Sequence, residues 1–171
     1  MKELIEAIRT IPDFPETGII FRDITTVLQN PRTLALAVDT LADTLAGLDF
    51  DLVIGPESRG FIFGVPIAYK LHKGFIPVRK KGKLPYATVR KSYDLEYGSA
   101  EIEMHSDAIE RGQRVVVIDD LLATGGTCKA LAHLVEEVGG VIAAMAFLIE
   151  LEALKGRELL RGYKVHSIIQ Y

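Results

Sequence analysis

Asp119 and Asp120 are adjacent carboxylates, and Thr124-Gly125-Gly126-Thr127 follows them after a three-residue gap. Glycines at this spacing let consecutive backbone N–H groups converge on one anion, and the threonine hydroxyls add donors. A helix starting just beyond them would add the positive end of its dipole. The chemistry is therefore phosphate binding. Carboxylates are poor neighbours for a polyphosphate unless a metal or hydroxyl groups intervene, whereas two acceptors beside a monophosphate cradle suit the vicinal hydroxyls of a ribose 5-phosphate. An ATP-type P-loop fits poorly, because no Gly-Lys-Ser/Thr follows the glycines.

The surrounding elements would hold this constellation in place. Val115 to Ile118 is apolar, mostly β-branched and too short for a stable helix, so it reads as a strand buried on both faces. Cys128 to Val138 reads as the helix after the turn. A second strand-turn-helix precedes it, with Asp51 to Gly55 as strand and Gly55 to Phe61, GPESRGF, as turn. Arg59 then lies near the carboxyl edge of a parallel sheet, where open α/β folds bind ligands. Its guanidinium suits phosphate oxygens, and it equally suits a pairing with Glu57; the sequence leaves both open.

The remaining pattern supplies the frame. Leu4, Ile5, Ile8 and Ile11 recur at helical spacing up to Pro12, and Asp13 to Thr26 is an irregular lobe with a short strand over Ile19 to Phe21. Asn30-Pro31 opens a helix whose apolar stripe is Leu34, Val38, Leu41 and Leu45, and Gly47 closes it. Helices are expected over Phe61 to Lys70 and Leu151 to Leu160. Strands are expected over Phe75 to Val78, Ala100 to Met104, Val141 to Ile149 and Val165 to Ile169. Strands alternating with helices predict an α/β domain with a mostly parallel sheet, residues 1–171 forming one domain. Between strands, residues 79–98 form a connection long enough to act as a mobile lid that brings positive charge over a site.

Composition narrows the classes. The chain has 171 residues, 49% hydrophobic and 25% charged, which is ordinary for one globular domain. No stretch is long and apolar enough to span a bilayer, the N-terminus lacks a signal-peptide core, and Cys128, the single cysteine, cannot form an internal disulfide; a cytoplasmic protein without membrane partners is expected. A net charge of −3 and the absence of a helix-turn-helix appendage argue against nucleic acid. Yet Ser58 to Tyr93 contains no Asp or Glu and many cations, which suits either a positive field aimed at an anionic ligand or a solvated surface run; the segment alone leaves both open. The four histidines lie far apart, without metal-ligand spacing.

VVVIDDLLATGGT, over Val115 to Thr127, resembles the phosphoribosyl-pyrophosphate signature of the type I phosphoribosyltransferases. FPETGIIFRDIT, GPESRGF, RKKGKLP, SYDLEYG and LKGRELL occur with it in one order, and together they resemble the adenine-specific branch of that family across almost the whole chain. The resemblance implies the type I phosphoribosyltransferase fold with a small N-terminal hood over about residues 1–30. It implies transfer of the 5-phosphoribosyl group from phosphoribosyl pyrophosphate to adenine, giving AMP and pyrophosphate in purine salvage.

By the same resemblance, Ala123, Thr124, Gly125, Gly126 and Thr127 would hold the 5′-phosphate, and Asp119 and Asp120 the ribose hydroxyls. Arg59 and Ser58 would meet the pyrophosphate beside a peptide, Glu57–Ser58, that can be cis in relatives. Arg79, Lys80 and Lys83 would add charge there, partly across the interface of a homodimer. Phe21 would stack on the purine while the main chain of Ile20 and Arg22 reads its edge. Glu96 would take the purine proton, with Tyr97 beside it. Mg2+ would be held mainly by the substrate, with no metal site built by the protein. A phosphoribosyltransferase acting on hypoxanthine, guanine or xanthine, and a nucleotide-sensing regulator that binds DNA or RNA, are the rival readings.

Overall fold

A computed structural model describes residues 1–94 and 99–171. The chain forms two compact units, residues 1–40 and 41–171. The first opens with α1 (Lys2–Ala7), β1 (Arg9–Pro12), β2 (Ile20–Asp23) and α2 (Thr25–Gln29), and α3 (Pro31–Thr44) carries the boundary. The periodicity up to Pro12 predicts one helix, but the helix stops at Ala7 and Arg9–Pro12 is strand. β-branched Thr10 and Ile11 favour extended backbone, and β2 supplies an antiparallel partner from Arg9↔Asp23 to Pro12↔Ile20. The Asp13 carboxylate accepts the Gly18 N–H at 2.7 Å and closes the connection. At the start of α3 the Asn30 side chain accepts the Arg32 N–H at 2.9 Å, the cap anticipated from Asn-Pro.

The second unit is a seven-stranded sheet. Its strands are β3 (Leu52–Pro56), β4 (Gly74–Lys80), β5 (Thr88–Asp94), β6 (Ser99–His105), β7 (Arg114–Leu122), β8 (Val141–Glu150) and β9 (Val165–Gln170). They lie in the order β5-β6-β4-β3-β7-β8-β9. Neighbours from β4 through β9 are parallel, while β6 is antiparallel to both β4 and β5. The long helices are α4 (Arg59–Lys70), packed on β3 and β7, and α5 (Gly126–Glu137), packed on β5 and β8. Val115 to Ile118 are fully buried at the centre, as the apolar run requires. Each such side chain contributes about 1.5–3 kcal/mol by leaving water.

Three expectations change in detail. β7 does not end at Ile118 but runs through both carboxylates to Leu122, its pairing with β8 extending to Leu122↔Glu150. Part of the connection over 79–98 is sheet: β4 continues to Lys80, and β5 pairs with β6 along its length. Thr88, Val89 and Tyr93 favour strand, and Val89 and Tyr93 pack on the core. Finally, Leu151 to Leu160 is not one helix. A 3₁₀ turn (Glu152–Leu154) and a short α6 (Gly156–Leu159) are separated by Lys155 in the left-handed region, at φ 53°.

Chain order also places the site. β3 leads to β4 on one side while β7, its other neighbour, leads to β8 on the opposite side. The two strands therefore send their connections apart, which opens a crevice at their carboxyl ends. Pro56 and Asp119 stand at that crevice.

Candidate active site

The turn after β3 brings the first charged groups. The Glu57–Ser58 peptide is cis, and Ser58 starts α4. Gly60 lets the first turn of α4 lie across β7: a Cβ there would stand 2.9 Å from the Ile118 carbonyl oxygen and 2.6 Å from Pro56 Cδ. This close approach carries Arg59 to the acid pair, where its Nε lies 3.1 Å from Asp120 Oδ2. Within the protein, Arg59 pairs with Asp120 and not with Glu57. Glu57 is engaged elsewhere. Its two oxygens accept Arg79 Nε and Lys83 Nζ, both at 2.7 Å.

Asp119 and Asp120 sit at the end of β7, and the Asp120 N–H donates to Asp119 Oδ1 at 2.9 Å. Asp120 is buried; Asp119 is partly open to the cleft, although protein crowds it on most sides. Burial, and then the neighbouring Asp120 charge, push the Asp119 carboxyl well above the usual carboxylate range. Burial also raises Asp120, against the pull of Arg59. For Glu57 burial works the same way, but the bonds from Lys83 and Arg79 outweigh it and hold the carboxyl below its ordinary value. Buried Cys128 is pushed up by burial and by both aspartates, so its thiol stays protonated.

Two adjoining cavities result. A cleft of about 180 Å³ is bounded by Ser58, Arg59, Lys80, Asp119, Asp120 and Thr127, with Glu57 and Tyr93 on its wall. A smaller hollow of about 80 Å³ is formed by Ala123, Thr124, Gly125, Gly126 and Thr127, with Asp119 on its rim. Asp119 and Thr127 belong to both. Gly125 is the N-cap of α5 at φ 85°, and a Cβ there would lie 2.7 Å from the Gly156 carbonyl oxygen. Gly156 in turn packs so tightly that a Cβ would collide with the Ala123 carbonyl. The break between the 3₁₀ turn and α6 thus serves the hollow, since Gly156 must back directly onto it. Thr127 Oγ1 donates to Tyr93 Oη at 3.2 Å, tying the hollow to β5.

Chemically this is an anion cradle at a helix N-terminus, an acid pair, and a cleft edged by cations. Residues 23–169 match the model of the phosphoribosyl transferase domain. The adenine phosphoribosyltransferase of Lachnoclostridium phytofermentans is 61% identical over 171 residues, covering 100% of this chain and 98% of that protein. The chain belongs to the adenine phosphoribosyltransferase family. Within that family, the crystal structure from Thermoanaerobacter pseudethanolicus shares 51% identity and a TM-score of 0.97, with 99% of each chain covered. The Saccharomyces cerevisiae phosphoribosyltransferase, complexed with D-2,5-dideoxy-2,5-imino-altritol 1,6-bisphosphate and adenine, has a TM-score of 0.92 at 37% identity, over 98% of this chain and 97% of that one. The type I phosphoribosyltransferase fold is the one observed.

The sequence-derived residues of this phosphoribosyltransferase fall into three groups. Ser58, Arg59, Lys80, Asp119, Asp120 and Ala123 to Thr127 meet around the two cavities, and Arg79 and Lys83 meet at Glu57. Ile20, Phe21 and Arg22 stand together on β2 of the first unit, with the Phe21 ring edge-on to Phe14 at 5.2 Å and Arg22 donating to Thr10 Oγ1 at 2.6 Å. Glu96 and Tyr97 lie outside the described residues. Sequence reasoning missed Glu103, Tyr93 and Gly156. For Glu103 a signal existed: in AEIEMH the apolar Ile102 and Met104 alternate with acids, so two carboxylates share one face of a strand next to a basic turn.

Proposed function

We propose that this chain transfers the 5-phosphoribosyl group of phosphoribosyl pyrophosphate to adenine, releasing pyrophosphate and forming AMP for purine salvage. The single observation that carries the reading is the shared wall of the two cavities. A hollow of about 80 Å³ and a cation-edged cleft meet at Asp119 and Thr127, an arrangement that suits a 5′-phosphate and a pyrophosphate on either side of one ribose. Ala123 to Thr127 hold the 5′-phosphate, and Asp119 and Asp120 accept the ribose hydroxyls. Arg59, Lys80, Arg79 and Lys83 face the pyrophosphate, with Ser58 donating beside them. Phe21, flanked by Ile20 and Arg22, takes the purine.

In the reaction the C1′–oxygen bond to pyrophosphate breaks as the C1′–N9 bond forms, and the N9 proton leaves to a base. Glu96 is that base, with Tyr97 next to it. Positive charge builds on the ribose in passing, and the neighbouring acid pair opposes it while the cations stabilise the departing anion. Substrate binding has to release Arg59 from Asp120 and Arg79 and Lys83 from Glu57, so each cation exchanges a protein carboxylate for a phosphate oxygen.

Mg2+ fits this donor set. Among the described residues no group of three or more His, Cys, Asp or Glu converges on one point, and the hard oxygens at the cleft suit an ion that takes most of its ligands from substrate and water. Asp119 and Asp120 would be the carboxylates available to it, and it would supply countercharge to the pyrophosphate. The enzyme works as a homodimer. Ile62, Val65 and Tyr69 form an exposed apolar stripe on α4, with Tyr69 84% exposed, and their spacing is that of a helix-packing seam. A cytoplasmic location agrees with the free buried Cys128 and with the lack, among the described residues, of any helix able to cross a membrane.

Pyrophosphate release with phosphoribosyl pyrophosphate, Mg2+ and each of adenine, hypoxanthine, guanine and xanthine tests the reading. Turnover with adenine alone is expected. Turnover with an oxo-purine would keep the phosphate site and discard the adenine assignment. No turnover with any base would discard the transferase.

A further inference from the structure

Glu103 is a charged residue with no exposed surface, on β6. A carboxylate withdrawn from water is costly unless its oxygens find donors, so its bonds show what its burial is for. Oε1 accepts two main-chain N–H groups, from Lys83 at 2.9 Å and Leu84 at 3.0 Å. Oε2 lies 3.2 Å from Arg90 Nε on the neighbouring β5. The first two bonds are to the turn after β4, the segment of the chain that carries Lys83 to Glu57. β4 itself is paired to β6 only at Arg79↔Glu103 and Lys80↔Ile102. The same register carries on for one more main-chain bond, from the Lys81 N–H to the Glu101 carbonyl at 3.1 Å, and beyond Lys81 the side chains of β6 take over. Glu101, two residues before Glu103 on the same face, pairs with Lys81 at 2.7 Å.

We propose that Glu103 is a positioning residue for the pyrophosphate end of the substrate. It fixes the main chain of the basic turn from beneath, so that the Lys83 ammonium is delivered to the cleft edge where Glu57 now holds it. Lys83 is thereby gripped at both ends. The buried Glu103 holds its amide and Glu57 holds its ammonium. A lysine alone is a poor phosphate ligand in entropy terms, because four rotatable bonds must be frozen when it binds. A turn already fixed at its backbone leaves only the side chain to order. Burial opposes the ionised form of Glu103, but the N–H groups of the turn and then Arg90 outweigh it, and the carboxyl lies below its ordinary range. The anchor stays charged throughout neutral pH. This role rests on the proposed reading of Lys83 as a pyrophosphate ligand.

A double-mutant cycle on Glu103 and Lys83 separates positioning from plain structural support. The wild-type chain, E103A, K83A and the double variant are assayed for the KM of phosphoribosyl pyrophosphate and of adenine, with Mg2+ present. E103A is expected to raise the KM of phosphoribosyl pyrophosphate about tenfold, the scale of an unmet buried hydrogen bond, with that of adenine within about twofold. K83A is expected to do the same, and the double variant to be no worse than the poorer single one. E103D keeps the charge but falls one methylene short of the turn, and it should lie between wild type and E103A; it replaces E103A in the cycle if that variant does not fold. Losses that multiply, an equal rise in both KM values, or an unchanged phosphoribosyl pyrophosphate KM in E103A or K83A would overturn the role. Inactivity of the wild-type chain would instead overturn the transferase reading, and calorimetric titration of the same four proteins with Mg2+ and inorganic pyrophosphate would then still decide the coupling.

Discussion

Asp119 is held where its charge is costly. Burial and the adjacent Asp120 raise its carboxyl well above the usual range, so in linkage terms the stability gained from the protonated form is fully present below the unfolded value, about 3.9. It is lost as pH rises through the raised value. At neutral pH the buried acid pair therefore works against folding. Asp119→Asn keeps an oxygen to accept the Asp120 N–H while removing the charge. It is expected to melt about 2–4 °C above wild type at pH 7, the effect of ~1 kcal/mol in a chain of this size. The gain should vanish in scans below about pH 3.9. The same variant is expected to raise the KM of phosphoribosyl pyrophosphate at least about tenfold, as loss of a charge-assisted hydrogen bond does. A lower melting point at pH 7 would mean that Arg59 stabilises the pair more than burial penalises it.

The elements show where sequence reasoning succeeds and where it stops. Strands buried on both faces, such as β7 and β8, announce themselves through apolar runs, and the acid pair and Gly125-Gly126 are legible because their residue types demand a reason. The partners of Arg59 and Glu57 are not legible, because all three pairs join segments distant in sequence. β5 reads as a loop for a related cause: Arg90, Lys91 and Ser92 make it polar, and only its pairing with β6 makes it a strand. Leu151 to Leu160 has helical periodicity, but the approach of Gly156 to Ala123 overrides it. Gly156→Ala should therefore act on the phosphate hollow from behind. We expect at least about a tenfold rise in the KM of phosphoribosyl pyrophosphate and a loss of about 1–3 kcal/mol in urea unfolding, the usual cost of overpacking. Gly162→Ala, at φ 98° but with open space around it, should lower stability through backbone strain and leave that KM unchanged.

At the scale of the whole molecule, the exposed stripe of α4 is the seam proposed for the dimer. Val65→Glu places a charge in the middle of Ile62, Val65 and Tyr69 without touching the interior of the monomer. Sedimentation is expected to show a dimer for the wild-type chain and a monomer for this variant; an unchanged dimer would move the interface elsewhere. The seven-stranded sheet raises a separate problem at its end, because β5 is an edge strand. An open edge offers unpaired N–H and C=O groups to any other chain in solution, and proteins blunt such edges with charge. Arg90 and Lys91 lie exposed there. Two such edges approaching each other would bring like charges together before a hydrogen bond could form. The cationic stretch that suits an anionic substrate thus also keeps crowded copies of the sheet from zipping into aggregates. Lys91→Val, which restores a good strand-former to the edge, should scatter light at a lower temperature on heating than wild type does.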